Sequence, residues 1–199
     1  MQHGYWIRSK PVYTSLAWQY RAQAHMVLAH GEAGRAVLRL YQQRLPEQPV
    51  SVLYLVGDEE ADYTASLRAL AGDCLLTFTK QEALWAAFNA ALASACMGTR
   101  LYAAGNEAFL WQVSTLAASH GVLHADIMRE QPASLARPVY CVHCKTITPH
   151  VTTNIAVCSG CQRHLFVRDH FSRRLGAYMG LMVDAEAPGE VPAAEEIYP

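Results

Sequence analysis

The sequence predicts an α/β protein in which a Rossmann-like parallel sheet is followed by a small four-cysteine ribbon. Three observations predict it. Short apolar runs alternate with stretches of helical periodicity over residues 22–131, glycines stand where those runs end, and four of the six cysteines form two Cys-x-x-Cys pairs within 21 positions. With 199 residues, 52% hydrophobic and 17% charged, the chain can bury a core, which excludes general disorder. A net charge of −1 gives no whole-chain field for nucleic acid or an anionic membrane.

Residues 1–21 are aromatic and irregular and are expected to form an N-terminal arm. A first strand over 25–29 runs into the loop Gly31-Glu32-Ala33-Gly34, and Val37, Leu38, Leu40, Tyr41 and Leu45 then recur at helical spacing. Residues 50–56 (VSVLYLV) read as a strand buried on both faces, ending at Gly57-Asp58. A helix over 64–70, a strand over 74–79 and a helix over 81–97 follow, the last presenting Leu84, Phe88, Ala91, Leu92 and Ala95. The strand 100–104 ends at Gly105-Asn106, and Leu110, Val113 and Ala117 line a helix closed by Gly121. Strands alternating with helices of this length imply right-handed crossovers and a doubly wound sheet over 22–131.

Residues 132–138, between Pro132 and Pro138, form a linker; 139–182 hold the cysteine pairs and a following strip; 183–199 form a tail. That tail carries five acidic residues, no basic ones and three prolines, so it is expected to be mobile or to order on a partner. Cys74 and Cys96 stand alone in apolar surroundings and are expected in the core. The stretch 83–97 is too short and interrupted for a membrane span, and the polar start Met1-Gln2-His3-Gly4-Tyr5 has no signal-peptide h-region, so a soluble cytoplasmic protein is expected.

Ligands of open α/β sheets bind beyond the carboxyl ends of the strands. There the candidate nucleotide-binding residues are Gly31, Gly34, Arg35, Gly57 and Gly105. The alternative is that these glycines only permit tight turns. The first loop reads Gly-x-x-Gly rather than Gly-x-Gly-x-x-Gly, and Glu32 puts a negative charge where a pyrophosphate would sit, partly offset by Arg35. A degenerate nucleotide-binding-like domain is the expectation. The segment Arg100-Leu-Tyr-Ala-Ala-Gly-Asn-Glu-Ala-Phe-Leu110, its helix, Gly121 and Glu130 resemble the pyridine-nucleotide half of ferredoxin-reductase-type proteins. Ala104 stands where that family has Cys, Asn106 where it has Pro, the first loop lacks its Thr-Pro ending, and about 20 preceding residues cannot make a flavin barrel. The resemblance therefore implies the fold rather than the activity.

Cys141-Val-His-Cys144, thirteen residues, and Cys158-Ser-Gly-Cys161 carry the strongest chemical signal. Each turn aims two thiolates at one centre, and two turns close a tetrahedron suited to structural Zn2+. About 40 residues with few large apolar side chains need such a staple. A mononuclear iron uses the same four thiolates and an iron–sulfur cluster is a further alternative, whereas two tandem pairs argue against a redox dithiol. His143, His150 and His164 are expected outside a tetrahedron already filled by cysteines.

Residues 137–182 hold six basic side chains against one acid, Asp169. Part of that excess balances a four-thiolate metal of formal charge about −2; the rest is expected to dock an acidic protein surface rather than nucleic acid. The strip Arg168 to Met182 reads as an interface, with Arg168, His170, Phe171, Arg173, Arg174, Tyr178 and Met179 as docking candidates. No arrangement of Ser, His and Asp or of paired carboxylates suggests hydrolysis, and no catalytic residue is assigned.

With the ribbon before it, this strip resembles the small subunit of dimethylamine monooxygenase, in the heme-dependent oxidative N-demethylase group of bacteria, through residues 141–182. The resemblance implies a multi-subunit NADPH- and O2-dependent complex of methylamine metabolism. Its partners would be a heme-containing catalytic subunit, a flavin (FMN) and 2Fe–2S reductase subunit, and a subunit binding tetrahydrofolate. This chain would be a non-catalytic structural or docking subunit carrying only zinc. Two other readings remain: an autonomous NAD(P)H-linked electron-transfer protein with iron in the four-cysteine site, and a zinc-ribbon nucleic-acid or regulatory binder.

Overall fold

Four apolar runs and a fifth strand that the sequence did not mark become one parallel sheet: β1 (Ala24–His30), β2 (Val50–Leu55), β3 (Leu75–Phe78), β4 (Thr99–Ala104) and β5 (Ile127–Glu130), in the order β3-β2-β1-β4-β5. The connections carry α1 (Gly34–Tyr41), α2 (Thr64–Ala71), α3 (Gln81–Ala93) and α4 (Glu107–Ser119). The computed structural model describes residues 10–57, 62–131 and 134–199. The expectations for residues 1–9, Asp58 and Pro132 lie outside them.

The doubly wound topology explains why the strands read as unbroken apolar runs. Alternate residues of β1, β2 and β4 serve two separate cores. Val27, Ala29, Val52, Tyr54 and Tyr102 pack with α1 and α2, whereas Leu28, Leu53, Leu55, Leu101 and Ala103 pack with α3 and α4. The predicted faces of α3 (Leu84, Phe88, Leu92) and α4 (Leu110, Val113, Ala117) are buried. Gly121, at φ +78°, lies just past α4, and the Val122 N–H returns to the Ala117 carbonyl.

From Tyr13 onward, the stretch expected to be an arm belongs to this unit's core. Leu16 and Trp18 are buried; the Trp18 indole N–H donates to the Leu40 carbonyl at 2.9 Å, and the Leu16 N–H donates to the Glu130 carboxylate at 2.7 Å. Trp18 meets His25, Tyr41 and Tyr102 edge-on. Two further expectations are corrected. Cys74 and Cys96 are exposed, because each falls in a turn just before a strand rather than on it. Helix α3 stops at Ala93, where Ser94 Oγ bonds back to the Ala90 and Ala91 carbonyls, leaving Met97 outside.

The second unit comprises residues 134–199 together with residues 10–12. Its sheet runs β7-β6-β10-β9-β8, from β6 (Arg137–Cys141), β7 (Ile147–Val151), β8 (Ile155–Val157), β9 (His164–Ser172) and β10 (Ala177–Met182). The strip read as an interface is thus largely the β9–β10 hairpin. Phe171 and Tyr178 face each other edge-on, 4.9 Å apart and buried, so they are core rather than docking anchors; Arg168, His170, Arg173 and Arg174 are exposed and Met179 half-buried.

The tail is not free either. Glu196 bridges antiparallel to Thr153, the Ile197 and Tyr198 N–H groups donate to the Thr152 carbonyl, and the buried Tyr198 ring lies 3.6 Å from the Arg137 guanidinium. Backbone pairing and an aromatic anchor hold a segment whose composition reads as solvated. No helix of the described residues is long and apolar enough to cross a membrane.

Candidate functional site

Among the described residues, Cys141, Cys144, Cys158 and Cys161 form one cluster whose four Sγ atoms lie within 4.8 Å of one another. Cys141 ends β6, Cys158 follows β8, and each opens a turn that presents its pair to the same point. The two turns share one hydrogen-bond pattern. Lys145 N–H donates to the Cys141 carbonyl and Gln162 N–H to the Cys158 carbonyl; Cys141 N–H donates to Thr146 and Cys158 N–H to Arg163. The residue after each second cysteine, Lys145 (φ 69°) and Gln162 (φ 58°), is left-handed, which bends the chain back over the thiolates.

The donor set fits a tetrahedral ion. Thiolates bound at about 2.3 Å to such an ion stand about 3.8 Å apart. Cys141 and Cys161 Sγ are 3.8 Å apart, and Cys144 and Cys158 Sγ 3.5 Å. Local donors favour the ionised form. The Thr146 hydroxyl and N–H lower the Cys144 thiol to about 6, and the Arg163 N–H lowers Cys161, whereas burial pushes Cys141 up to about 11. Gly160 N–H points at Cys158 Sγ at 3.4 Å. The Arg163 side chain also bonds Cys161 and contacts His143, so a cation stands beside the anionic cluster. His143, His150 and His164 are exposed and lie outside the group, as expected.

Sequence reasoning missed Thr146 and Gly160. A Cβ at 160 would fall 2.4 Å from Thr146 Oγ1 and 3.2 Å from Cys144 Sγ, so only glycine leaves the hydroxyl its place against the thiolate. The second position after each Cys-x-x-Cys, Thr146 and Arg163, was the available signal.

At the carboxyl edge of the parallel sheet, β1 and β4 are neighbours with connections leaving in opposite directions, the usual ligand crevice of such folds. Gly31, Gly34, Arg35 and Gly57 come together here, but around tyrosines. Tyr54 hydroxyl donates to the Gly31 carbonyl at 3.0 Å and accepts the Tyr63 N–H at 3.1 Å. Gly34 lies so close beneath Tyr63 that a Cβ there would be 2.7 Å from that side chain, and Arg35 reaches the Tyr63 hydroxyl. A Cβ on Gly31 would be 3.5 Å from the Gly57 Cα.

Gly105, across the crevice, is covered by Phe109, whose ring a Cβ would meet at 2.6 Å. The start of α4 is filled by the chain's own groups. Asn106 Oδ1 accepts the Phe109 N–H at 2.9 Å, and the buried Glu107 carboxylate accepts from Tyr13, whose hydroxyl receives the Trp111 indole N–H at 2.9 Å. A carboxylate where a phosphate would sit opposes a second anion.

Residues 5–127 match the family described as dimethylamine monooxygenase subunit DmmA-like, N-terminal domain, and residues 138–181 match the C-terminal domain of the same description. The heme-dependent oxidative N-demethylase delta subunit of Ectopseudomonas mendocina (strain ymp) is 36% identical over 138 residues, 66% of this chain and 77% of that relative. Phthalate dioxygenase reductase, titled a modular structure for electron transfer from pyridine nucleotides to 2Fe–2S, aligns with 69% of this chain and 47% of its own at TM-score 0.43 and 14% identity. An intact type IV self-sufficient cytochrome P450 monooxygenase aligns with 66% of this chain and 19% of its own at TM-score 0.45 and 15% identity. The chain thus spans less than half of either solved structure.

Proposed function

Because the chain belongs to the dimethylamine monooxygenase subunit DmmA-like family, we propose that it is a non-catalytic docking subunit of a multi-subunit, NADPH- and O2-dependent oxidative N-demethylase. In this reading a heme subunit carries out the demethylation of a secondary amine in the cytoplasm. A flavin and 2Fe–2S subunit supplies its electrons, and a folate-binding subunit takes up the formaldehyde. The chain described here holds no part of the redox chemistry and serves to hold the others together.

The observation that carries this reading is the filled nucleotide edge. Asn106 caps α4, Glu107 occupies its first turn, and Tyr63 covers Gly34, so the backbone donors that would cradle a pyrophosphate face the chain's own groups. Gly31, Gly34, Arg35, Gly57 and Gly105 are accordingly read as turn and packing residues.

Zn2+ is the proposed occupant of Cys141, Cys144, Cys158 and Cys161, as a closed structural site without an open coordination position. It would supply a cross-link between the two turns.

The test has two parts. Metal analysis and an absorption spectrum of the untagged chain should give one zinc and no visible band; iron with thiolate charge-transfer bands would instead support the electron-transfer reading. NADPH titrated into the chain alone should give no saturable quenching of tryptophan fluorescence, while omission of the chain from the reconstituted complex should lower its amine-dependent NADPH oxidation.

A further inference from the structure

We infer that the four-cysteine site is also a peroxide-reactive thiol site: hydrogen peroxide oxidises Cys144, Cys158 closes a disulfide on it, and the metal is given up. The choice of thiols rests on the cluster alone, whereas the metal and the source of peroxide rest on the readings proposed above.

The two turns expose their sulfurs unequally. Cys141 and Cys158, the first cysteine of each pair, are fully buried, whereas Cys144 and Cys161, the second of each, are half-buried. An oxidant arriving from water therefore meets Cys144 or Cys161. A thiol that coordinates a metal is deprotonated outright, so access decides between them. The Arg163 side chain bonds the Cys161 sulfur and reaches across to His143, which covers that side of the site. Cys144 instead faces the exposed Gly160, where even an added Cβ would stand only 3.2 Å from its sulfur. The residue without a side chain leaves Cys144 open.

The second thiol is already in place, since Cys158 Sγ, in the other turn, lies 3.5 Å from Cys144 Sγ. The Cys144 thiolate attacks one peroxide oxygen; the S–O bond forms, the O–O bond breaks, and hydroxide leaves a sulfenic acid behind. The Cys158 thiolate then attacks the Cys144 sulfur; the S–S bond forms, the S–O bond breaks, and a second hydroxide leaves. Two thiolates lose two electrons, one peroxide gains them, and two solvent protons turn the hydroxides into water. Cys141 and Cys161 alone remain as ligands, and two sulfurs hold Zn2+ far less firmly than four. The step changes no charge on the ion, so its transfer to a chelator follows the thiol chemistry directly. A thiol reductant regenerates all four ligands. An O2-reducing partner releases hydrogen peroxide whenever two electrons and two protons reach O2 without amine being oxidised. The chain would thus register uncoupled turnover by loosening its own ribbon.

The experiment treats the zinc-loaded full chain with hydrogen peroxide in the presence of a chromophoric zinc chelator. Dimedone traps sulfenic acid in a parallel sample, and mass spectrometry maps every cysteine. Cys74 and Cys96, exposed and outside the cluster, are internal references for unassisted oxidation. Peroxide is expected to speed zinc transfer about tenfold, because only two of the four ligands then remain. Dimedone should label Cys144 before Cys161, Cys74 or Cys96, and without dimedone a Cys144–Cys158 disulfide should form that a thiol reductant reverses. Arg163→Ala, which uncovers Cys161 without removing a ligand, should bring label to Cys161 as well. Unchanged zinc transfer while Cys74 and Cys96 oxidise would overturn the proposal, as would wild-type labelling that begins at Cys161. A chain isolated without zinc would overturn the metal reading instead, and its disulfide map would still decide the choice of thiols.

Discussion

Gly160 stands so close to Thr146 that a Cβ on it would be 2.4 Å from the threonine hydroxyl oxygen, the same hydroxyl that lowers the Cys144 thiol. Two loops from different halves of the ribbon thus meet at a point where a missing side chain makes room for a hydrogen bond to a ligand sulfur. Gly160→Ala is expected to displace Thr146 and speed metal loss, and Thr146→Val to remove the same donor without crowding. Metal transfer to a chromophoric chelator should be faster by about tenfold or more in both, since one hydrogen bond to a charged group contributes about 1.5–3 kcal/mol. Unchanged transfer rates would show that the hydroxyl does not support the thiolate.

Metal removal should separate the two units. The ribbon is expected to lose its fold on chelation at neutral pH, while the α/β unit, with two apolar cores of its own, keeps its helical circular dichroism. Amide hydrogen exchange of the chelated chain checks it: β6–β10 should exchange freely while β1, β2 and β4 stay protected.

Gln162 adopts φ 58° immediately after Cys161, a conformation that costs a residue with a Cβ about 1–2 kcal/mol. Gln162→Gly relieves that strain and adds backbone freedom to the unfolded chain, so a net gain of up to about 1 kcal/mol is expected. Thermal unfolding of the metal-bound protein would contradict this if the midpoint fell.

The Arg137 guanidinium is stacked between the Tyr178 ring, at 4.1 Å, and the Tyr198 ring, at 3.6 Å, and bonds Asp169. Burial would raise the Asp169 pKa, but Lys10 and Arg137 outweigh it and hold it below the usual value. Arg137→Ala is expected to cost about 2 kcal/mol or more, from two cation–π contacts and a charged hydrogen bond. Removing residues 195–199 should reproduce only part of that loss. Urea unfolding followed by tyrosine fluorescence measures both.

Burial depresses the His25 pKa, with the Gln48 side chain opposing it as an acceptor for the imidazole N–H, so the buried imidazole is neutral where the unfolded one begins to protonate. The unfolded state then binds more protons below about pH 6.5, and stability falls with pH there. The contribution is complete above that pH and is lost on descending toward the folded pKa. Urea midpoints of the α/β unit between pH 8 and 5 should show the decline, and His25→Gln should flatten it even if that variant is less stable throughout.

The positions of β1 to β4 and the cysteine cluster are legible because each leaves a mark in the order of residues: apolar runs for strands of the parallel sheet, and fixed spacing for paired ligands; β5, with Arg129 and Glu130 in four residues, leaves none. Periodicity carries helix α3 past its end because the stretch 83–97 is apolar apart from Asn89 and Ser94, and the end is set by Ser94 bonding backwards. The β9–β10 hairpin was hidden by a bulge. Between the Phe171–Tyr178 and Val167–Gly180 pairs, Arg168, Asp169 and His170 lie opposite Met179 alone, which breaks the alternation that marks a strand. The tail was misread because backbone pairing to Thr152 and Thr153 leaves no trace in composition. Family resemblance supplied the assembly, which no residue pattern in the chain encodes.

The matching hydrogen bonds of the two Cys-x-x-Cys turns also bear on how the ion comes and goes. Each turn closes its own short loop at little entropic cost, so either can take the ion first with two sulfurs. Delivery of the second pair is then an intramolecular event, governed by the effective concentration of one turn near the other. Departure would reverse it through a half-released state in which one turn still grips and recapture competes with escape, so a chelator would have to intercept that state, and slow exchange is expected even where each turn alone binds weakly.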